Sequence, residues 1–129
     1  MSTPAVIAAR ALIGVPWRHQ GRDPAIGIDC VGLLVLAFGL APERDFTAYG
    51  RMPHDGMLER HLAAVFGAPV PNGVLDARPG DVAAMAYGRA IRHVGIVGDY
   101  ALGGLSLIHT DSTLGHVTEH PLDGKWVAR

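Results

Sequence analysis

The sequence predicts an α+β fold in which N-terminal helices pack on an antiparallel β-sheet, and three features point to it. Apolar residues recur at helical spacing only in the first half of the chain. Short apolar runs separated by glycine-bearing turns fill the second half from Asp81 onward. No helical pattern returns between those runs, so the strands are expected to form a meander without crossover helices. At 129 residues, with neither a repeat nor a linker, residues 1–129 are expected to make a single domain.

Thr3 and Pro4 open the first helix, a hydroxyl cap followed by proline at the first helical position. Apolar residues continue through 5–13, and Gly14 ends the helix. Residues 15–28 mix polar side chains with glycine and proline and read as an irregular loop. Asp29 caps a second helix over 30–38 that stops at Gly39. Val31, Leu33, Leu34, Val35, Leu36 and Phe38 leave this helix no polar face, so it is expected to be central and buried. Residues 42–53 read as a surface connection, after which Asp55 caps a third helix with Leu58, His61, Leu62 and Val65 at helical spacing. Pro69, Pro71, Asn72 and Gly73 break the chain before strands over 82–87, 93–97, 105–110, 116–120 and 125–128.

Composition excludes several classes of function. Hydrophobic residues at 49% and charged residues at 18% fit a soluble globular domain. The net charge is −1 and the eleven basic positions are scattered, so neither a nucleic-acid footprint nor a polybasic membrane patch is present. No apolar run is long enough to span a bilayer, and residues 1–14 do not resemble a signal peptide. Synthesis in the cytoplasm is therefore expected, with any later journey needing another vehicle. The single cysteine excludes an internal disulfide and a multi-cysteine zinc site.

That cysteine, Cys30, stands where the second helix begins, and unpaired N–H groups at such a position favour a thiolate. Buried filler is the other reading of a lone thiol. A nucleophilic thiol needs a base, and the base needs an orienting partner. A hairpin centred on Ala101 sets His93 directly opposite His109, where two imidazoles can touch. Asp111 ranks second as the orienting group. His116 and His120 share one strand face but lie too far apart to hold a metal without a third ligand, so neither metal nor cofactor is expected. His19 and Gln20 lie in the loop before the cysteine, in reach of a cleft there.

Taken together, Gly14-Val15-Pro16-Trp17-Arg18 and Gly27-Ile28-Asp29-Cys30-Val31-Gly32-Leu33 resemble the NlpC/P60 papain-like cysteine peptidases. Pro79-Gly80-Asp81, His93-Val94-Gly95-Ile96 and Ile108-His109 follow in that family's order, so the resemblance spans nearly the whole chain. It implies a papain-like fold with Cys30 as nucleophile, His93 as base and His109 as third member. It also implies oxyanion or substrate roles around Trp17, Asp29 and Gln20. Two positions depart from the commonest pattern: Val31 replaces a serine, and Trp17 stands where many members have tyrosine. An indole donates but does not accept. The family cleaves peptidoglycan stem peptides, typically between D-γ-glutamyl and a diamino acid.

Residues 16–20, 49–51 and 53–56 look most like members from tailed phages and gene transfer agents. Those act at the tail tip in the periplasm or on the wall, so phage-like tail proteins are expected partners. Two alternatives stand beside this: a structural tail component with a vestigial cleft, and an amidase or acyltransferase acting outside the wall.

Overall fold

A computed structural model describes residues 3–42, 45, 57–67, 77–87 and 90–122. Its elements run α1 (Pro4–Arg10), β1 (Arg22–Asp23), β2 (Gly27–Ile28), α2 (Cys30–Phe38), α3 (Met57–Phe66), β3 (Val82–Tyr87), β4 (Ala90–Asp99), β5 (Leu105–His109) and β6 (Thr118–Pro121). The last four form one antiparallel sheet in the order β3-β4-β5-β6. Helices thus precede a meander, as the pattern of the sequence requires. The expected strand over 125–128, the cap at Asp55 and most of the 42–53 connection lie outside the described residues. Among those described, no helix is long and apolar enough to cross a membrane.

The helix α1 starts where expected: the Thr3 hydroxyl accepts from the Val6 N–H at 3.3 Å, and proline follows. It ends three residues earlier than the apolar run does. Leu12 and Ile13 donate to the carbonyls of Ala9 and Arg10, three residues back, so the path tightens and leaves the helix. The Gly14 N–H is then taken by the Val117 carbonyl at 2.9 Å. Tertiary pairing here overrides local apolar continuity.

Residues 15–28, expected to be irregular, contain ordered pairing. Val15 and Trp17 exchange backbone bonds with Val117 and Gly115, while Pro16 and Arg18 bond to Ile28 on the other side. Pro16 explains the extended path, because a residue before proline is pushed out of the helical region. The segment therefore fastens the end of the sheet to β2, immediately before α2.

The core is where α1, α2 and α3 meet the sheet. Val6, Ala9, Leu33, Leu34, Leu58, Val94, Ile96 and Ile108 are all buried in it. α2 has the bounds and both caps that the sequence indicated: Asp29 accepts from the Gly32 N–H at 2.9 Å, and Gly39 closes it in the left-handed conformation at φ 60°. Asp29 does more than cap. Its Oδ2 accepts from the Gln20 N–H at 2.8 Å and its Oδ1 from Arg22 Nη1 at 3.0 Å, while Arg22 Nε reaches Asp45 at 3.0 Å. A carboxylate only 3% exposed thus ties the loop, β1 and the helix start together. Asp29→Ala is expected to cost about 3 kcal/mol of folding stability, because it removes a cap and leaves buried donors unpaired. Urea denaturation measures this; a loss under about 0.5 kcal/mol contradicts the assignment.

Candidate active site

Cys30 is the first residue of α2, and the residue is partly open to solvent. Backbone N–H groups near its sulfur, that of Val94 on β4 among them, favour the ionised form. Val94 follows His93 directly, so the fold brings the thiol to the stretch of β4 that carries the expected base. Sequence reasoning assigned the helix start a thiolate. Burial, and after it the charge of Asp29, work against that expectation and push the thiol up to about 12, against the backbone donors that lower it.

His93 is 3% exposed and His109 is fully buried, and Nε2 of the first lies 2.7 Å from Nδ1 of the second. The pairing is the one expected, but its geometry is different. Across β4 and β5 the partners are Ile96↔Ile108, Val97↔Leu107, Gly98↔Ser106 and Asp99↔Leu105. The hairpin is therefore centred on Leu102 and its loop is Tyr100-Ala101-Leu102-Gly103-Gly104, one residue later than the sequence suggested. Gly103 and Gly104, at φ 102° and 76°, supply the left-handed positions of that turn.

His109 consequently falls opposite Gly95, and His93 reaches it on the diagonal. Diagonal pairs are within range of aromatic side chains when nothing intervenes. Nothing does, since a Cβ on residue 95 would lie 3.0 Å from the His109 Cβ and 2.8 Å from Leu107 Cδ1. A register irregularity against β3, between Met85 and Ala86, also falls beside His93, which pairs with Met85. Extending the β4–β5 register sets Asp111 across from His93, and its charge opposes the effect of burial on that ring. Burial wins, bringing His93 down to about 4, while burial with the neighbouring imidazoles brings His109 down to about 3. Burial thus disfavours the charged form of Cys30, His93 and His109 alike.

A third imidazole continues the line. His109 Nε2 lies 2.7 Å from His120 Nε2 on β6, and His120 Nδ1 lies 2.9 Å from the Pro121 carbonyl. Sequence reasoning paired His120 with His116, but His116 is exposed and precedes β6, bridging to Pro16. The signal that finds His120 is strand alternation: β6 pairs Leu107 with His120 and His109 with Thr118, which puts His120 diagonal to His109 on one face. The remaining candidates flank the helix start. Trp17 is half-buried with its backbone N–H on the Gly115 carbonyl, and its ring lies 6.5 Å from that of His19. Gln20 has positive φ, 57°, and is held by Asp29. Asp29 itself has both oxygens engaged within the fold, at the cap of the helix that Cys30 opens.

The α+β frame thus carries a thiol at a helix start and a buried, paired imidazole on its sheet. No family model matches the sequence, and no curated protein does. Among solved structures the chain is similar to the NlpC/p60 domain of the peptidoglycan hydrolase SagA, at 25% identity and a TM-score of 0.60, over 92% of this chain and 87% of that one. The chain has the NlpC/p60 fold.

Two outcomes follow from this geometry. Gly95→Ala is expected to displace His109, with a destabilisation of about 1–3 kcal/mol and a broken imidazole pair, checked by thermal denaturation and by a crystal structure. An unchanged His93–His109 contact in that variant contradicts the steric argument. Both histidines are lowered from 6.5, so the unfolded chain binds more protons as pH falls from 6.5 toward 4. Stability is then full above the unfolded value and lost on acidification, on the order of 3 kcal/mol for each histidine by pH 4. His109→Gln is expected to flatten that slope in urea titrations run at several pH values, and a wild-type stability that is level from pH 7 to about 4.5 contradicts it.

Proposed function

We propose that this chain is a cysteine peptidase that cleaves an amide bond in peptidoglycan stem peptides, with Cys30 as nucleophile and His93 as base. The observation that carries the reading is the position of the Cys30 sulfur at the start of α2, against the backbone N–H of the residue that follows a buried, paired histidine. The likeness to a peptidoglycan hydrolase domain supports the substrate class.

With both groups neutral at rest, proton transfer accompanies attack. The thiol turns from the Val94 amide toward Nδ1 of His93, the ring nitrogen not bonded to His109. As the S–C bond forms, the thiol proton moves to Nδ1. The resulting imidazolium is held by its Nε2–H bond to His109 and by the charge of Asp111. The N–H of Cys30 at the helix start, with the indole N–H of Trp17, donates to the tetrahedral oxyanion. His93 then passes its proton to the leaving amine, and water, deprotonated by His93, releases the acyl group.

The finer assignment is the bond between D-γ-glutamyl and a diamino acid, opened locally at the tip of a phage or gene-transfer-agent tail. It is supported by the resemblance of residues 16–20, 49–51 and 53–56 to such members. Action in the periplasm or on the wall, with delivery by tail proteins, belongs to the same proposal. One feature favours a second reading, a structural component with a vestigial cleft: burial pushes the Cys30 thiol up to about 12.

Digestion of purified peptidoglycan separates the two. Wild type is expected to release shortened stems, and Cys30→Ala and His93→Ala to lose at least about 10³-fold in rate. Activity retained by the alanine variant at position 30 sinks the nucleophile, and an inactive wild type supports the vestigial reading.

A further inference from the structure

We propose that His120 is a positioning residue that fixes which ring nitrogen of His93 carries the proton, and this rests on the reading of His93 as base. The far end of the imidazole line sets the order of the protons. A carbonyl oxygen only accepts, so the 2.9 Å contact with Pro121 requires the proton of neutral His120 to be on Nδ1. Nε2 of His120 is then a lone pair, and it accepts across 2.7 Å from Nε2–H of His109. A His109 protonated at Nε2 has a bare Nδ1, which accepts across 2.7 Å from Nε2–H of His93. His93 is left with its lone pair on Nδ1, the nitrogen that must take the thiol proton.

Each bond dictates the next. In neutral rings the opposite order would set a lone pair of His120 against the Pro121 oxygen, two acceptors in contact. A backbone carbonyl on β6 thereby determines the tautomer of a base two imidazoles away. The fold separates the roles by depth: His93 and His109 are buried, while His120 is half-buried on the outermost strand of the sheet. The opposite face of β6 is anchored independently, because Glu119 accepts from Arg10 Nη2 at 2.8 Å and from the Ser106 hydroxyl at 2.6 Å. A change at residue 120 therefore leaves the strand held.

Two variants separate positioning from structure. His120→Gln keeps an acceptor near the place of Nε2, and His120→Phe keeps a ring but no acceptor. The full chain, labelled with 15N in its histidines, reports the protonated nitrogen of His93 without any substrate. Wild type and the glutamine variant are expected to show His93 protonated on Nε2, and the phenylalanine variant a mixture of both tautomers. On peptidoglycan, His120→Phe is expected to lower kcat about tenfold at unchanged KM, the worth of one ordinary hydrogen bond, while His120→Gln retains most of it. Unchanged His93 tautomers in His120→Phe overturn the proposal, as do equal kcat losses in both variants tracking their melting temperatures. An inactive wild type counts against the peptidase reading alone, because the tautomer measurement still decides the role of His120.

Discussion

The hydrogen bond between His93 and His109 exists because residue 95 has no side chain. β4 and β5 pair in a register that sets the two histidines on a diagonal, and any Cβ on the directly opposed residue would stand against His109. Removing that atom turns two neighbouring strand positions into one buried pair 2.7 Å apart. Burial then governs the chemistry. An imidazole in this setting does not hold a charge at ordinary pH, so it is available as a proton acceptor and not as the cation of a preformed ion pair.

The thiol obeys the same balance. The start of α2 offers N–H groups that favour a thiolate, but burial and the charge of Asp29 work against it. Asp29 cannot be dispensed with, since it caps the helix and gathers Gln20, Gly32 and Arg22 around the helix start. The residue that places the nucleophile therefore also disfavours its ionisation. A neutral pair that exchanges a proton only during attack is consistent with both halves of the site, and it assigns the accelerating role to His93.

Local signals in the sequence were enough for α2, whose cap, apolar face and terminal Gly39 all lie within eleven consecutive residues. They were enough for the order of the sheet and for the pairing of His93 with His109. They failed where a distant strand decides. α1 stops at Arg10 although the apolar run continues, because Gly14 is claimed by Val117. The hairpin is centred one residue later than its loop suggests, since Asp99 still pairs and both glycines fall in the turn. The contact of His120 with His109 was not foreseen because it depends on the β5–β6 register, which nothing near residue 120 encodes. The thiolate expected at Cys30 rests on helix position, which is local, whereas the burial that works against it is not.

Because the chain has one cysteine, thiolate absorbance in the ultraviolet reports Cys30 alone once the Cys30→Ala spectrum is subtracted. A titration of that difference from roughly pH 5 to 9 measures the resting charge of the site. The account requires no thiolate over this range. A thiolate already present at neutral pH would contradict it, and would mean that His93 holds the proton before substrate arrives.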